Sequence, residues 1–96
     1  MNTLLSIQIL PQDKDRSISI ALIDEAIKMI QASGLNYRVG ALDTVVEGDW
    51  ESLLQLITDM NNRVLDLGAT QTMFQMKLLH KPEGITISTL THKYDE

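Results

Sequence analysis

The sequence predicts a ferredoxin-like α+β fold: a β-α-β-β-α-β sandwich whose four-stranded antiparallel sheet carries two helices on one face. Three observations predict it. Along the 96 residues the apolar periodicity changes in the order strand, helix, strand, strand, helix, strand. Each helical segment has one apolar stripe, so both helices cover the same face of the sheet and leave the other face bare. The two halves also echo each other, with a glycine between helix and strand at Gly34-Leu35-Asn36 and again at Gly68-Ala69-Thr70.

The first strand runs from Thr3 to Leu10. Leu5, Ile7 and Ile9 alternate with Ser6 and Gln8, the pattern of a half-buried strand. Pro11 ends it, because proline cannot donate to a ladder, and residues 12–16 form a charged loop. Ser17 or Ser19 offers a hydroxyl to the free N–H groups of the next helix. Ile20, Ile23, Ile27 and Ile30 recur at helical spacing and are expected in the core, widened by Leu22, Ala26 and Met29. Gly34 stops that helix in the left-handed conformation glycine adopts cheaply.

Asn36 to Leu42 is the second strand and Thr44 to Glu47 the third, with a turn at Asp43-Thr44. The joint is too short for a helix, so the two strands form an antiparallel hairpin. Asp49 caps the second helix, and Glu51 suits the positive end of its dipole. Leu53, Ile57, Met60, Val64 and Leu67 step by four, three, four and three, with Leu54 and Leu56 beside them, which makes a core-facing stripe. Thr70 to His80 is the last strand, with Phe74, Met76 and Leu78 on its apolar face and Gln75 and Lys77 opposite. The length suits one domain, residues 1–96, with a tail from about residue 82. A short helix is expected in that tail, where Ile85, Ile87 and Leu90 need a partner surface.

Composition narrows the function. Thirteen acidic and eight basic side chains leave a net charge of −5. Nucleic acid is not an expected partner, because it requires a clustered basic face. The balance suits a cationic ligand, although a mild acid excess also serves solubility. With no cysteine, disulfides, a thiol nucleophile and a cysteine-ligated zinc are excluded. The first residues lack the pattern of a signal peptide, and no stretch approaches a membrane-spanning length. A cytoplasmic protein is expected, with no cofactor and no metal.

No catalytic constellation can be read. His80 and His92 lack metal-ligand spacing, and Lys77 alone does not make a nucleophile. The segment from Ser33 to Trp50 instead gathers polar groups, with Asp43, Thr44, Glu47 and Asp49 close together. In a short hairpin beside a helix start, the Thr44 hydroxyl and the Glu47 carboxylate could converge on one small polar group. Taken by themselves, Thr44 filling a turn and Glu47 supporting the helix dipole are the plainer account. Trp50 and Tyr37 could each stack on a flat ring or cover a seam of the fold. Strand parity groups Tyr37 with Val39 and Ala41, and leaves open which set faces the helices.

Ser33-Gly34-Leu35-Asn36-Tyr37, followed by Asp43-Thr44-Val45-Val46-Glu47-Gly48-Asp49-Trp50, resembles the small thiamine-binding, YkoF-like family, with its serine-glycine-leucine-x-tyrosine stretch and its Thr-x-x-Glu-Gly turn. The chain departs from that pattern at Pro11-Gln12-Asp13 and at Thr70-Gln71-Thr72. The resemblance implies a non-catalytic binder of thiamine or a related hydroxymethylpyrimidine compound, acting as a homo-oligomer, dimer or tetramer, whose domains pair through their sheets. Thr44 and Glu47 are the positions carried over as ligand contacts. Tyr37 lies in the matched stretch, and Ser6 and Gln8 join the candidate site from the parity of the first strand. The competing expectation is a regulatory module that uses the bare sheet face for protein partners.

Overall fold

The computed structural model describes residues 1–10 and 16–94. Its elements are β1 (Thr3–Ile9), α1 (Arg16–Ala32), β2 (Asn36–Val39), β3 (Thr44–Gly48), α2 (Trp50–Asp66), β4 (Phe74–His80) and α3 (Ile87–Thr91). The four strands form one sheet in the order β2-β3-β1-β4, with every neighbouring pair antiparallel. This is the ferredoxin-like plan expected from the sequence.

Odd-numbered residues of β1 face the helices. Leu5 and Ile7, with Val46 of β3, are buried against Ala26 and Ile30 of α1 and Leu53, Leu56 and Met60 of α2. Even-numbered β1 residues point to the other face. The register Ser6↔Val45, Leu4↔Glu47 and Ser6↔Lys77 puts Val45, Glu47 and Lys77 there as well. Gly34 and Gly68 follow α1 and α2 with φ of +78° and +106°, the left-handed conformation expected of both helix stops.

Several expectations are corrected. Helix α1 begins at Arg16, so Ser17 and Ser19 lie inside the helix and do not cap it. The stop at Pro11 and the loop through residue 15 fall outside the described residues. The buried stripe of α1 is Leu22, Ala26 and Ile30, while Ile23 and Ile27 are half-buried and Ile20 is 51% exposed. Apolar residues occupy so many positions of α1 that two overlapping stripes fit the period. The helix docks on the side of Ala26, whose single methyl group permits close approach. In α2, Leu56 is buried where Ile57 is half-buried, and Leu67 is exposed. Strand β2 ends at Val39 and not Leu42, and β4 starts at Phe74 and not Thr70.

The second sheet face is not bare. Ile85 and Ile87 pack on Leu4, with Val45 alongside, so α3 lies over part of that face. Two of the tail's apolar residues have found their partner within the chain, because Leu4 and Val45 present apolar side chains on that face. Leu90 remains exposed. No described helix is long and apolar enough to cross a membrane.

Candidate functional site

The β2–β3 connection spans residues 40–43 and is closed by Gly40 N–H donating to the Asp43 carbonyl at 2.8 Å. A side chain at residue 40 would bring a Cβ within 2.9 Å of that carbonyl oxygen, so the turn requires glycine. Beneath the turn is a recess of about 200 Å³ between the end of the sheet and α1. Ile23 and Ile27 of α1 and Ile9 of β1 give it apolar walls, and Gln8, Asp43 and Thr44 give it polar ones. The two half-buried isoleucines of α1, Ile23 and Ile27, therefore line this recess.

The candidate residues divide into two groups. Ser6, Gln8 and Thr44 gather at the β2–β3 turn. Ser6 Oγ donates to Asp43 Oδ2 at 2.5 Å, Thr44 pairs with Ile7 across the β1–β3 ladder, and Gln8 borders the recess from the other sheet face. Glu47 stands apart, one strand length away on β3. Its Oε1 accepts from Asn36 Nδ2 at 2.8 Å and its Oε2 from the Ile87 backbone N–H at 2.6 Å. The side chain is 7% exposed. Tyr37 faces the helices and packs against the main core.

Thr44 and Glu47 do not converge. They are three residues apart on one strand, so their side chains leave opposite faces of the sheet. Thr44 faces the helices and Glu47 lies under α3. Glu47 also does not serve the α2 dipole; it receives the first N–H of α3. At the start of α2, Asp49 occupies the cap position without a side-chain cap bond. Its carboxylate lies 3.7 Å from the Met1 ammonium, and Asn2 Oδ1 accepts the Trp50 N–H at 3.0 Å instead. The Trp50 ring stands beside His80, with centroids 5.2 Å apart.

Sequence reasoning noted Asp43 as a polar group of the turn but did not assign it to the site. The signal was its place next to Thr44, opposite a strand bearing Ser6. Asn36 carried no local signal at all. Among the described residues, no group of three or more His, Cys, Asp or Glu side chains is placed to hold a metal ion.

A family model described as thiamine-binding protein matches residues 5–96. A UPF0045 protein of Clostridium perfringens is 28% identical over 90 residues, covering 94% of each chain. Among solved structures, a domain of unknown function from Bacillus cereus superposes with a TM-score of 0.90 at 30% identity, covering 100% of this chain and 92% of its own. A candidate thiamine biosynthesis or salvage protein of Thermotoga maritima superposes with a TM-score of 0.89 at 28% identity, covering 99% of this chain and 100% of its own.

Proposed function

We propose that this chain, which belongs to the thiamine-binding protein family, is a non-catalytic binder of thiamine or a related hydroxymethylpyrimidine compound. The family match across residues 5–96 carries that reading. The similarity to the Thermotoga maritima protein and the recess at the β2–β3 turn support it. The ligand ring enters that recess between Ile23, Ile27 and Ile9. Thr44 Oγ1 meets one polar group of the ligand, and Gln8 a second at the rim. Asp43 offers Oδ1 to an amino group or faces a ring cation, while Ser6 holds its Oδ2.

Glu47 and Tyr37 belong to this site at one remove. Tyr37 packs the strand that leads into the turn. Glu47 reaches a ligand directly only where Asn36 or the Ile87 N–H gives way, since both its oxygens already accept hydrogen bonds. Without that exchange it contributes by fixing β3, on which Thr44 sits. The protein acts as a homo-oligomer in the cytoplasm. A small domain buries more apolar surface by pairing.

Titration calorimetry with thiamine and with hydroxymethylpyrimidine tests the reading. Heat that saturates supports it. Neither heat nor a melting shift at millimolar ligand removes it and leaves the interaction module.

A further inference from the structure

A chain of hydrogen bonds joins the start of α2 to the end of the sheet. The Trp50 backbone N–H donates to Asn2 Oδ1 at 3.0 Å. A backbone N–H only donates, so this bond fixes which end of the Asn2 amide is oxygen. Thr3 Oγ1 lies 2.8 Å from that same oxygen, which only accepts. The one hydroxyl proton of Thr3 is therefore spent on Asn2. His80 is directly opposed to Thr3 across the β1–β4 ladder, and its Nδ1 lies 2.9 Å from Thr3 Oγ1. With its proton already given, Thr3 accepts, and Nδ1 carries the hydrogen. Thr3 is fully buried, so water does not compete for these bonds.

A neutral imidazole protonated at Nδ1 keeps a lone pair at Nε2. Among the described residues none bonds that nitrogen. His80 lines an open cleft of about 510 Å³ with Asn2, Asp49, Trp50, Glu51 and Ser52, a volume within the range of about 300–1,000 Å³ usual for small-molecule sites. Trp50 is 38% exposed, and its ring is tilted 59° to the imidazole, so the two do not cover one another face to face. The polar lining is made of acceptors: His80 Nε2, the Asp49 and Glu51 carboxylates and the Ser52 hydroxyl. No lysine or arginine is among the lining residues. The Met1 ammonium, 3.7 Å from Asp49, offsets one carboxylate, and the start of α2 adds about half a positive charge. Glu51 leaves the balance negative.

We propose that this cleft is a second binding site, for a flat organic cation bearing N–H donors, an amidinium or guanidinium group. The cation stacks on the Trp50 ring, donates to His80 Nε2 and faces the Glu51 carboxylate. Thr3 is a positioning residue: it sets the tautomer that makes Nε2 an acceptor. The other tautomer would turn a donor toward a donor. The cleft shares no lining residue with the recess at the β2–β3 turn, so the site stands whether or not thiamine binds there.

The chain has a single tryptophan, so its fluorescence reports on this cleft directly. Benzamidine is the probe, with benzamide as its neutral counterpart and benzoate as its anionic one. Benzamidine at millimolar concentration changes the Trp50 emission saturably, and benzamide binds at least about fivefold more weakly. His80→Phe keeps a ring beside Trp50 and removes the acceptor, so the benzamidine midpoint rises about fivefold or more, and Glu51→Gln raises it as well. No saturable change, an unshifted midpoint in His80→Phe, or tighter binding of benzoate overturns the proposal; the last would make the cleft an anion site. Nitrogen-15 NMR of the imidazole at mildly alkaline pH reads the tautomer separately. The hydrogen is expected on Nδ1 in the wild type and divided between the two nitrogens in Thr3→Val, whose benzamidine midpoint rises less than that of His80→Phe. A wild-type ring protonated at Nε2 overturns the proposal. If Thr3→Val fails to fold, the wild-type spectrum and the His80→Phe titration decide.

Discussion

The Glu47 carboxylate accepts the backbone N–H of Ile87 at 2.6 Å, a buried bond between residues 40 positions apart. With the Asn36 bond on its other oxygen, one side chain ties β3 to β2 and to the first turn of α3. Glu47→Ala strands the buried Ile87 N–H away from water and leaves the exposed Asn36 amide to solvent. Leaving a buried donor unsatisfied costs about 1–3 kcal/mol, so Glu47→Ala lowers stability by about 1–3 kcal/mol, read by urea denaturation. Hydrogen exchange at the Ile87 amide accelerates in the same variant. An unchanged Ile87 amide would mean that Ile85 and Ile87 hold α3 without the carboxylate.

The rotation of α1 separates two isoleucines that the sequence treats alike. Ile30 is fully buried and Ile20 is 51% exposed. Truncating a buried isoleucine costs about 2–5 kcal/mol, whereas surface changes stay within about 0.5 kcal/mol. Ile30→Ala therefore shifts the denaturation midpoint strongly and Ile20→Ala hardly at all. Equal shifts would show that the helix docks through the stripe that includes Ile20.

The fold was legible because period two and period 3.6 alternate cleanly, with glycines at both helix ends. The facing of α1 was not, because its apolar residues outnumber what one stripe needs, and the docked partner decides among them. In α2 the polar residues are more regularly placed, and four core positions, Leu53, Met60, Val64 and the flanking Leu56, could be named. The separation of Thr44 from Glu47 was in the sequence all along, since an odd spacing on a strand means opposite faces. The bond from Ile87 to Glu47 was not, because nothing local to Glu47 indicates a segment 40 residues away.

Gly40 makes a second demand on the turn. A Cβ there meets the Asp43 carbonyl oxygen at 2.9 Å, and that oxygen cannot retreat without breaking the Gly40 N–H bond. Gly40→Ala opens the turn and moves Asp43 away from Ser6. A stability loss of about 0.5–3 kcal/mol is expected, the ordinary range for a strained substitution. Thiamine affinity should fall with it by calorimetry, and retained affinity would place the ligand away from this turn.

The ligand reading is tested most sharply by three substitutions compared in one calorimetric series. Asp43→Asn keeps the shape and an acceptor for Ser6 but removes the charge. A charge-assisted hydrogen bond contributes about 1.5–3 kcal/mol, so thiamine binding weakens about tenfold or more. Thr44→Val removes a neutral hydroxyl whose bond contributes about 1 kcal/mol, a loss of about fivefold. Glu47→Gln separates the two roles open to that carboxylate. Where Glu47 only fixes β3, the amide still accepts Ile87 N–H through its oxygen and binds Asn36 after an amide flip, so affinity changes by less than about threefold, within the ~0.6 kcal/mol that threefold represents. Where Glu47 meets the ligand's cation directly, its loss matches or exceeds that of Asp43→Asn. In that outcome the ligand displaces either Asn36 or the Ile87 N–H, and hydrogen exchange at the Ile87 amide rises on adding thiamine where the second bond is the one exchanged.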